Sequence, residues 1–559
     1  MDGSNSSTTP ARSSERDARD SATFDRRDAT WLLLLAALTV GVLGKDISKG
    51  GLRSLDAPVH AMDGVLVHDW VAAGPSAWAD PMSFAVGQYA HYPSLSIGWH
   101  YPPGFAIIEA AFFGVFGISA TAARMAVVFM GLLGIVGVYV FMRSCTGPAV
   151  SALAGAALLA MPAVTEWGRQ TMLELPTLTV MIWAGVALTR YARQPRAMRL
   201  ALVIALTLLS LLCKQNAVFL IGPVTATVGL CAWRGDARWR HVLIPGFLCI
   251  TVPIAVWFSM SDAVTKLVDG TDGSGTSWNL ATLTLYAKLL PGQVGLWLLA
   301  AAVVGLVVSW RRSPAIATFL TVWFLGCYAM VTVAEFKQAR FFFLGLFPFA
   351  IWAAQGYGVL LDRLPSRWRS AVVVTGVGIM SVVAFNRPIR YYPDHGPAVV
   401  SHRDEIEGHA VLFSGLRDGD FVFAVRQHIP WRKTVVIRAS KLLYTCLAHP
   451  IFDFQTNIGS EADVAAAIKP LGLAHLFIER ENRLRVPTDA LLRDYLAETA
   501  AYRRVDSIRL AEEPEPNYRN VTMDVYESTA PPERTMEYLD VPVPRVHRTV
   551  RVNLSDYAS

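Results

Sequence analysis

The chain has 559 residues, of which 53% are hydrophobic and only 17% are charged, whereas a soluble protein usually carries about a quarter charged residues. This composition excludes an ordinary soluble enzyme and predicts a membrane protein. The formal net charge of +6 is small for this length, and the arginines lie mainly at the ends of apolar runs, so we expect no nucleic-acid partner.

The N-terminal part of the chain changes from polar to apolar near Trp31. Residues 1–28 are rich in Ser, Thr, Asp and Arg and contain almost no large apolar side chains, which predicts a disordered cytoplasmic tail. Apolar runs of spanning length then recur as far as Phe385. We therefore predict a mostly α-helical membrane domain over residues 29–386, with about 11–12 membrane segments. The first run is expected to remain as an anchor and not to be cleaved as a signal peptide.

Basic clusters between the apolar runs predict the orientation of this domain. Arg190–Arg199, Trp233–His241 and Asp362–Arg369 are three of these clusters. Positive segments are retained in the cytoplasm, so the runs between them should cross in pairs, giving about eleven full crossings and an extracytoplasmic C-terminus. The segment Pro102–Gly117 would measure only about 24 Å as a helix, so we expect it to lie in the outer interface or to enter the membrane part way.

The first outer loop, at about residues 45–123, contains a dense group of carboxylates and imidazoles. The stretch SLDAPVHAMDGVLVHDW holds Asp56, His60, Asp63, His68 and Asp69. Asp56 directly follows the first apolar helix, which favours a functional role, while Asp63 and Asp69 are more typical of solvated or capping residues. No third ligand has convincing spacing beside the two histidines, so we expect a structural or substrate-contact role for them and no metal site.

Four separated polar sites meet on the outer face in this orientation: the loop just described, Glu174, Lys214, and Lys337 with Arg340. Such cations can hold a phosphate or pyrophosphate, and a carboxylate can take a proton from an attacking hydroxyl. Each residue also has a simpler interpretation. Lys214 and Arg340 could extend from helix ends to the interface, Lys337 could be a plain loop charge, and Glu174 could favour a helix N-terminus.

The order of the motifs adds a family resemblance. The motifs are LDAPVH (Leu55–His60), WHYPPGF (Trp99–Phe105), FGISATAAR (Phe116–Arg124), GRQTMLELPTL (Gly168–Leu178), CKQNAVFLIGP (Cys213–Pro223) and KQARFFFLGLFPF (Lys337–Phe349). Together they resemble the GT-C superfamily of integral-membrane glycosyltransferases, in particular the protein O-mannosyltransferase and lipid A aminoarabinose transferase-like branch. The resemblance covers the chain from about Trp31 to Leu361.

The resemblance implies transfer of a sugar from a polyprenyl-phosphate donor to a lipid, glycan or protein acceptor outside the cytoplasm, with inversion and without a required metal or other cofactor. A bacterial inner membrane is the implied location, and membrane lipids are implied partners. Asp56 and Glu174 map onto the catalytic carboxylates of the family. The implied donor-phosphate contacts are Lys214, Arg340 and Lys337. The implied substrate contacts are His60, Asp63, His100 and Tyr101, with His100 offset by one position from the family pattern.

The C-terminal part, residues 387–530, is predicted to be a small extracytoplasmic α/β domain with a partly parallel sheet. The expected strands are Asp418–Arg426, Lys433–Ala439 and Ala474–Arg480, and the expected helices are Ser460–Gly472 and Pro487–Tyr502. The sequence indicates no phosphate loop, metal cluster or catalytic triad in this domain. Residues 531–559 are expected to form a tail.

Two other function classes are compatible with a polytopic chain. A secondary transporter would show internal repeats and charges near the middle of the bilayer, whereas this chain shows no repeat and its candidate charges lie at outer helix ends. A non-catalytic scaffold of envelope glycan assembly would use the same outer charges only to contact partners. The six cysteines show no metal-type spacing or disulfide framework.

Overall fold

The computed structural model describes residues 24–54, 56–92, 101–259, 280–333, 337–430, 433–445, 454–481, 486–510, 521–531, 533–543 and 548–554. Within these residues the chain forms a helical domain that ends at Phe385, followed by an α/β domain. The predicted combination of a membrane helix bundle and a small α/β domain is therefore confirmed.

The helical domain begins with a helix that enters the bundle, a group of helices in the first outer loop, and a long return helix. The helices are α1 (Arg26–Leu43), α2 (Ala57–Ala72), α3 (Pro75–Ala79), α4 (Pro81–His91), α5 (Gly104–Phe116), α6 (Ala120–Arg143), α7 (Pro148–Ala160), α8 (Pro162–Trp167), α9 (Glu174–Arg193) and α10 (Ala197–Cys213). Helix α5 has 13 residues, or about 20 Å, which is too short to cross a hydrocarbon core of about 30 Å.

The second half of the domain contains two short 3₁₀ segments, Gln215–Leu220 and Ala339–Gly345, which interrupt the apolar runs. The helices are α11 (Ile221–Trp233), α12 (Arg240–Ser259), α13 (Leu280–Val294), α14 (Leu296–Arg312), α15 (Pro314–Val333), α16 (Phe347–Asp362) and α17 (Ser366–Phe385). Lys214 lies at the break between α10 and the first 3₁₀ segment.

Length and hydropathy identify four described helices as candidate membrane spans: Ala120–Arg143, Gln215–Trp233, Pro314–Val333 and Ser366–Phe385. Two bent helix pairs, α13 with α14 and the second 3₁₀ segment with α16, raise the number to six if each pair is one span. Shorter apolar helices such as α7 and α10 fall below this length. The chain is thus an integral membrane protein, and the larger number of about eleven crossings stays a prediction.

Helices α14 and α16 pack backbone to backbone in the bundle. A Cβ atom on Gly305 of α14 would meet the carbonyl oxygen of Trp352, and a Cβ atom on Gly356 of α16 would meet the carbonyl oxygen of Ala301. Small residues allow this close approach between helices that have no hydrophobic effect to drive their association inside a bilayer.

The α/β domain contains a mixed five-stranded sheet, flanking helices and two small ladders. Its elements are α18 (Gly396–Ser401), α19 (Arg403–Ile406), β1 (Ala410–Ser414), α20 (Asp418–His428), β2 (Val435–Arg438), α21 (Ala439–Leu442), β3 (Tyr444–Thr445), β4 (Gln455–Thr456), α22 (Glu461–Ile468), β5 (His475–Glu479), α23 (Pro487–Glu498), β6 (Tyr502–Arg509), β7 (Thr522–Ser528), β8 (Tyr538–Val543) and β9 (Arg548–Asn553). The sheet order is β2-β1-β5-β7-β6, with β1 parallel to β2 and β5 and the other pairs antiparallel.

Two predictions for this domain are wrong. Asp418–Arg426 is helix α20 and not a strand, because Phe421, Val422 and Val425 recur at helical spacing and are all buried. The segment 531–559 is not simply a tail, since β8 and β9 form an antiparallel hairpin whose Val541, Val550 and Val552 are buried. The strands predicted around Val435 and His475 and the helices after Ser460 and from Pro487 are confirmed.

Buried arginines hold the first outer loop in place. Arg124 of α6 donates to the carbonyl oxygens of four residues between Ile47 and Gly51. Gly50 adopts φ +67° in this turn, a conformation that glycine tolerates best. From the α/β domain, Arg417 donates to the carbonyl oxygens of Leu52 and Ser54. The backbone that leads to Asp56 is therefore fixed from both domains.

Candidate active site

Four side chains predicted to share an outer site are brought together by four separate segments of the helical domain. Asp56 lies just before α2, and Glu174 is the first residue of α9. Lys214 follows the last residue of α10 in an extended conformation. Arg340 is the second residue of the 3₁₀ segment Ala339–Gly345. All four therefore lie where a helix begins or ends, and none lies in the middle of a long apolar helix.

The four side chains form two ion pairs of different exposure. Arg340 Nη2 lies 2.5 Å from Asp56 Oδ2, and their side chains are 14% and 39% exposed. Lys214 Nζ lies 2.7 Å from Glu174 Oε1, and these side chains are 10% and 2% exposed. Asp56 is therefore the carboxylate that an incoming molecule can reach, whereas Glu174 is enclosed and fixes the position of Lys214.

His60 lies at the centre of these charges. Asp56, Glu174, Lys214 and Arg340 all act electrostatically on its imidazole. Burial lowers the pKa of His60 to about 4, so the ring is neutral at pH 7. Its ring also makes an edge contact with Tyr101, at 4.8 Å between centroids. The predicted substrate contacts His60 and Tyr101 thus line the same site as the two ion pairs.

The cationic side of the site controls the ionisation of Asp56. Burial raises the pKa of this carboxyl, but the charge of Arg340, its hydrogen bond and the charge of Lys214 outweigh burial, so the pKa of Asp56 lies below the ordinary value. Asp56 is therefore a carboxylate at neutral pH and can accept a proton.

Three buried polar atoms of the site have no hydrogen-bond partner among the described residues. They are His60 Nδ1, Glu174 Oε2 and Arg340 Nε. Buried polar atoms are nearly always paired, and unpaired ones usually mark places where water, an ion or a ligand binds. Their concentration around two ion pairs indicates a site that is completed by a polar molecule.

The aromatic-Pro-Pro segment positions one wall of the site. Gly104, which follows Pro102 and Pro103, packs directly on the end of α10: a Cβ atom there would lie 2.5 Å from the carbonyl oxygen of Leu212. Gly104 therefore lies against the end of the helix that Lys214 follows, and Tyr101, three residues earlier, contacts the ring of His60. The motif therefore packs against α10 through Gly104 and also contributes the Tyr101 side chain to the site.

The other predicted residues are less closely connected with this cluster. Lys337 Nζ donates to the carbonyl oxygens of Val331 and Thr332 at the end of α15, which favours a helix-capping role. Asp63 is buried on α2 and acts electrostatically on Glu109 of α5. His100 lies outside the described residues.

The structure adds one contact that the sequence did not indicate and corrects the expectation for Asp63 and Asp69. The guanidinium of Arg340 lies over the ring of Trp167, 5.8 Å from its centroid, and Trp167 lies outside every motif that the sequence indicated. Asp63 and Asp69 are not solvated or capping residues as expected, because they are 7% and 2% exposed and lie within α2. Arg426 donates to both carboxylate oxygens of Asp69. Its partner lies 357 residues further along the chain, a distance that sequence spacing cannot bridge.

Comparison with known proteins relates part of this sequence to one family and most of the chain to one fold. Residues 100–257 match a family model described as dolichyl-phosphate-mannose-protein mannosyltransferase. The match includes the aromatic-Pro-Pro segment, Glu174 and Lys214, and it covers less than a third of the chain. No curated protein sequence matches the chain.

Solved structures show the same fold at low sequence identity. ArnT from Cupriavidus metallidurans bound to undecaprenyl phosphate has a TM-score of 0.55 and 14% identity, covering 90% of this chain and 99% of that chain. The arabinofuranosyltransferase AftD from mycobacteria has a TM-score of 0.53 and 14% identity, covering 93% of this chain but 41% of that longer chain. The resemblance to GT-C glycosyltransferases is confirmed in the fold, and the family match supports glycosyltransferase activity.

Proposed function

We propose that this chain is an inverting glycosyltransferase that moves a sugar from a polyprenyl-phosphate donor to an acceptor hydroxyl or amine on the extracytoplasmic side of the membrane. The observation that carries the proposal is the meeting of Asp56, Glu174, Lys214 and Arg340 from four chain segments in two adjoining ion pairs. The undecaprenyl phosphate bound by an ArnT of the same fold supports a lipid-phosphate donor.

Arg340 and Lys214 bind the donor phosphate in this proposal. A guanidinium can form two parallel hydrogen bonds to phosphate oxygens, and an ammonium adds a compact positive charge. Both cations stabilise the negative charge that grows on the phosphate as the glycosidic bond breaks. Glu174, which is almost fully enclosed, holds Lys214 in place and does not contact the acceptor.

Asp56 acts as the base toward the acceptor. It takes the proton from the acceptor hydroxyl or amine while that atom forms a bond to the anomeric carbon. The bond between the anomeric carbon and the phosphate oxygen breaks on the opposite face, and the polyprenyl phosphate leaves with the electron pair. One displacement of this kind inverts the configuration at the anomeric carbon. Neutral His60 and Tyr101 line the space between the two reactants.

The side of the membrane is part of the proposal. The cytoplasmic placement of the arginine clusters leaves Asp56, Lys214, Arg340 and the α/β domain outside. Lipid-linked sugars are then the suitable donors, because the polyprenyl chain remains among the apolar helices while the phosphate reaches the helix ends. A bacterial inner membrane is the proposed location.

Asp56→Asn tests the base. The purified wild-type protein is reconstituted with lipids of the source membrane, and free polyprenyl phosphate released from glycosylated carriers is measured by mass spectrometry. We expect Asp56→Asn to slow release by about 10²-fold or more, because a positioned base contributes about 10²–10⁴-fold. Binding of undecaprenyl phosphate should remain in this variant and be lost in Arg340→Ala.

Matched controls separate catalysis from folding. Asp80→Asn changes an exposed carboxylate of the same outer loop that caps α4, a role asparagine can fill. Lys49→Ala removes an exposed cation near the loop turn. Both should release polyprenyl phosphate at the wild-type rate. Wild-type release by Asp56→Asn, or unchanged undecaprenyl phosphate binding by Arg340→Ala, would contradict the proposal.

A further inference from the structure

A second group of chemically active side chains lies in the α/β domain, apart from the active-site residues. His402 follows α18, Glu405 lies on α19, and His475 is the first residue of β5. One ligand atom from each residue lies within 4.8 Å of the others. His402 Nδ1 is 2.7 Å from Glu405 Oε2, and His475 Nε2 is 3.3 Å from the same oxygen. Ligands around a tetrahedral zinc ion lie about 3.3 Å apart, given metal–ligand distances of about 2.0–2.1 Å.

The hydrogen bonding of His475 supports a ligand role. This side chain is 5% exposed, and neither of its ring nitrogens has a hydrogen-bond partner among the described residues. Its close approach to Glu405 is an electrostatic contact without hydrogen-bond geometry. A buried imidazole with two unpaired nitrogens is unfavourable unless something else satisfies it.

The surroundings of His402 also favour a role as a metal ligand. Its Nε2 lies 3.2 Å from Asp506 Oδ2, and its Nδ1 faces Glu405. A histidine that binds a metal usually donates its other ring N–H to a carboxylate, which fixes the tautomer and the orientation of the ring. With Nε2–H donated to Asp506, the Nδ1 lone pair faces a carboxylate oxygen. A cation between these two acceptors removes their repulsion.

We propose that His402, Glu405 and His475 bind one divalent transition-metal ion. Two imidazole nitrogens and one carboxylate oxygen are the donor set that suits Zn²⁺ among the common metals. Glu405 is 53% exposed, so the fourth position is open to water and the ion can enter from solvent. Asp506 on β6 orients His402, and Glu527 on β7, directly opposite His475, adds negative charge nearby.

The ion would join parts of the domain that are distant in sequence. His402 and Glu405 belong to the segment that enters the domain from the membrane, whereas His475 lies on the central strand β5. The proposed site therefore fastens the entry segment to the sheet. This role goes beyond the proposed sugar transfer and does not depend on it.

Zinc content tests the site directly. The full-length protein, in detergent and without an affinity tag, is stripped with a chelator, dialysed against Zn²⁺ and analysed by mass spectrometry for metal per chain. We expect one Zn²⁺ per wild-type chain, and a rise in the unfolding temperature on adding Zn²⁺. Glu405→Gln, a change at the surface, should weaken Zn²⁺ binding at least about tenfold and abolish that rise. His475→Ala should also lose the ion.

Glu407→Gln is the matched control, since it changes a neighbouring carboxylate that pairs with Lys433 and lies outside the donor set. This variant should keep the ion. Binding of Co²⁺ provides an independent readout, because a tetrahedral nitrogen–oxygen site gives visible absorption that Glu405→Gln should lose. If the wild-type chain binds no Zn²⁺, or if Glu405→Gln binds Zn²⁺ as tightly as Glu407→Gln does, His402 is held only by its contacts with Glu405 and Asp506 and the proposal fails.

Discussion

The side chains of the active site differ in how far they are removed from water, and this difference separates their roles. Asp56 keeps 39% of its side-chain surface, but Glu174 keeps only 2%. An enclosed carboxylate is stable only with its cation beside it, since the cost of removing charge from water must be offset by the partner. Replacing either Glu174 or Lys214 alone should therefore destabilise the protein more than replacing both.

A double-mutant cycle measures this dependence. Lys214→Met leaves Glu174 charged and enclosed, and breaking a buried pair from one side costs about 3–5 kcal/mol. We expect a clearly lowered unfolding temperature for Lys214→Met in detergent. The double variant Glu174→Gln with Lys214→Met should recover most of the loss, although it should not bind undecaprenyl phosphate. An additive loss in the double variant would show that the two side chains are not coupled.

Some of these residues could be predicted from sequence because they lie at ends of apolar runs, where a charge is costly and therefore informative. Asp56, Glu174, Lys214 and Arg340 were all identified in this way. His402 and His475 gave no such signal, because they lie in the α/β domain, where isolated histidines are common. They come together only when the segment after α18 packs beside strand β5. Lys337, like Arg340, is a basic residue that follows an apolar run. Its ammonium group, however, donates to the carbonyl oxygens of Val331 and Thr332 at the end of α15.

At the scale of elements, the contact between α14 and α16 depends on two glycines, which place no side chain between the helices. Gly305 and Gly356 let each helix reach the backbone of the other. Helix α16 continues from the 3₁₀ segment that carries Arg340, with a bend of 58° between them. Displacing α16 would therefore move a residue of the site as well as the helix itself.

Gly356→Ala tests this packing. The added methyl group would meet the backbone carbonyl of Ala301, which cannot rotate away, and overpacking of this kind costs about 1–3 kcal/mol. We expect a lower unfolding temperature, measured by the loss of the monodisperse detergent-solubilised protein on heating. Gly229→Ala, which meets no atom within 4 Å in helix α11, should be neutral or slightly stabilising because alanine is the better helix former. Equal losses in both variants would contradict the role of the contact.

The elements also explain where prediction from propensity failed. Asp418–Arg426 is rich in Val and Phe, which favours a strand, but its acidic first turn and basic last turn match the dipole of a helix. The five-stranded order β2-β1-β5-β7-β6 could not be predicted, because β7 inserts between β5 and β6 only through contacts distant in sequence. Start signals predicted α22 and α23: Ser460 and Asp463 form the capping box of α22, and Pro487 is the first residue of α23.

At the scale of the whole molecule, the α/β domain is attached to the first outer loop and not only to the end of α17. Arg426 of α20 makes a two-pronged ion pair with Asp69 of α2, at 2.6 and 3.1 Å. Arg417 holds the loop carbonyls just before Asp56. The soluble domain therefore positions the segment that carries the proposed base.

Arg426→Ala tests this attachment. Among the described residues, the change leaves the buried Asp69 carboxylate with His68 and Gln88 as its side-chain hydrogen-bond partners. Loss of the two-pronged pair removes both the positive charge and the fixed geometry that it imposes. We expect faster hydrogen exchange in α2 and faster proteolysis of the junction after Phe385. Arg403→Ala, an exposed arginine 4.0 Å from Glu407, should leave both rates unchanged. Identical rates for Arg426→Ala and the wild type would show that the domains are held by other contacts.

The pairing of Asp56 with Arg340 has a consequence for the order of events in the proposed reaction. In the resting protein the guanidinium occupies this carboxylate, so in the proposed mechanism an acceptor that arrives first is not activated. The lipid phosphate competes for the same guanidinium, and its arrival frees Asp56. The proposed mechanism therefore predicts a compulsory order, in which the lipid-linked sugar binds before the acceptor.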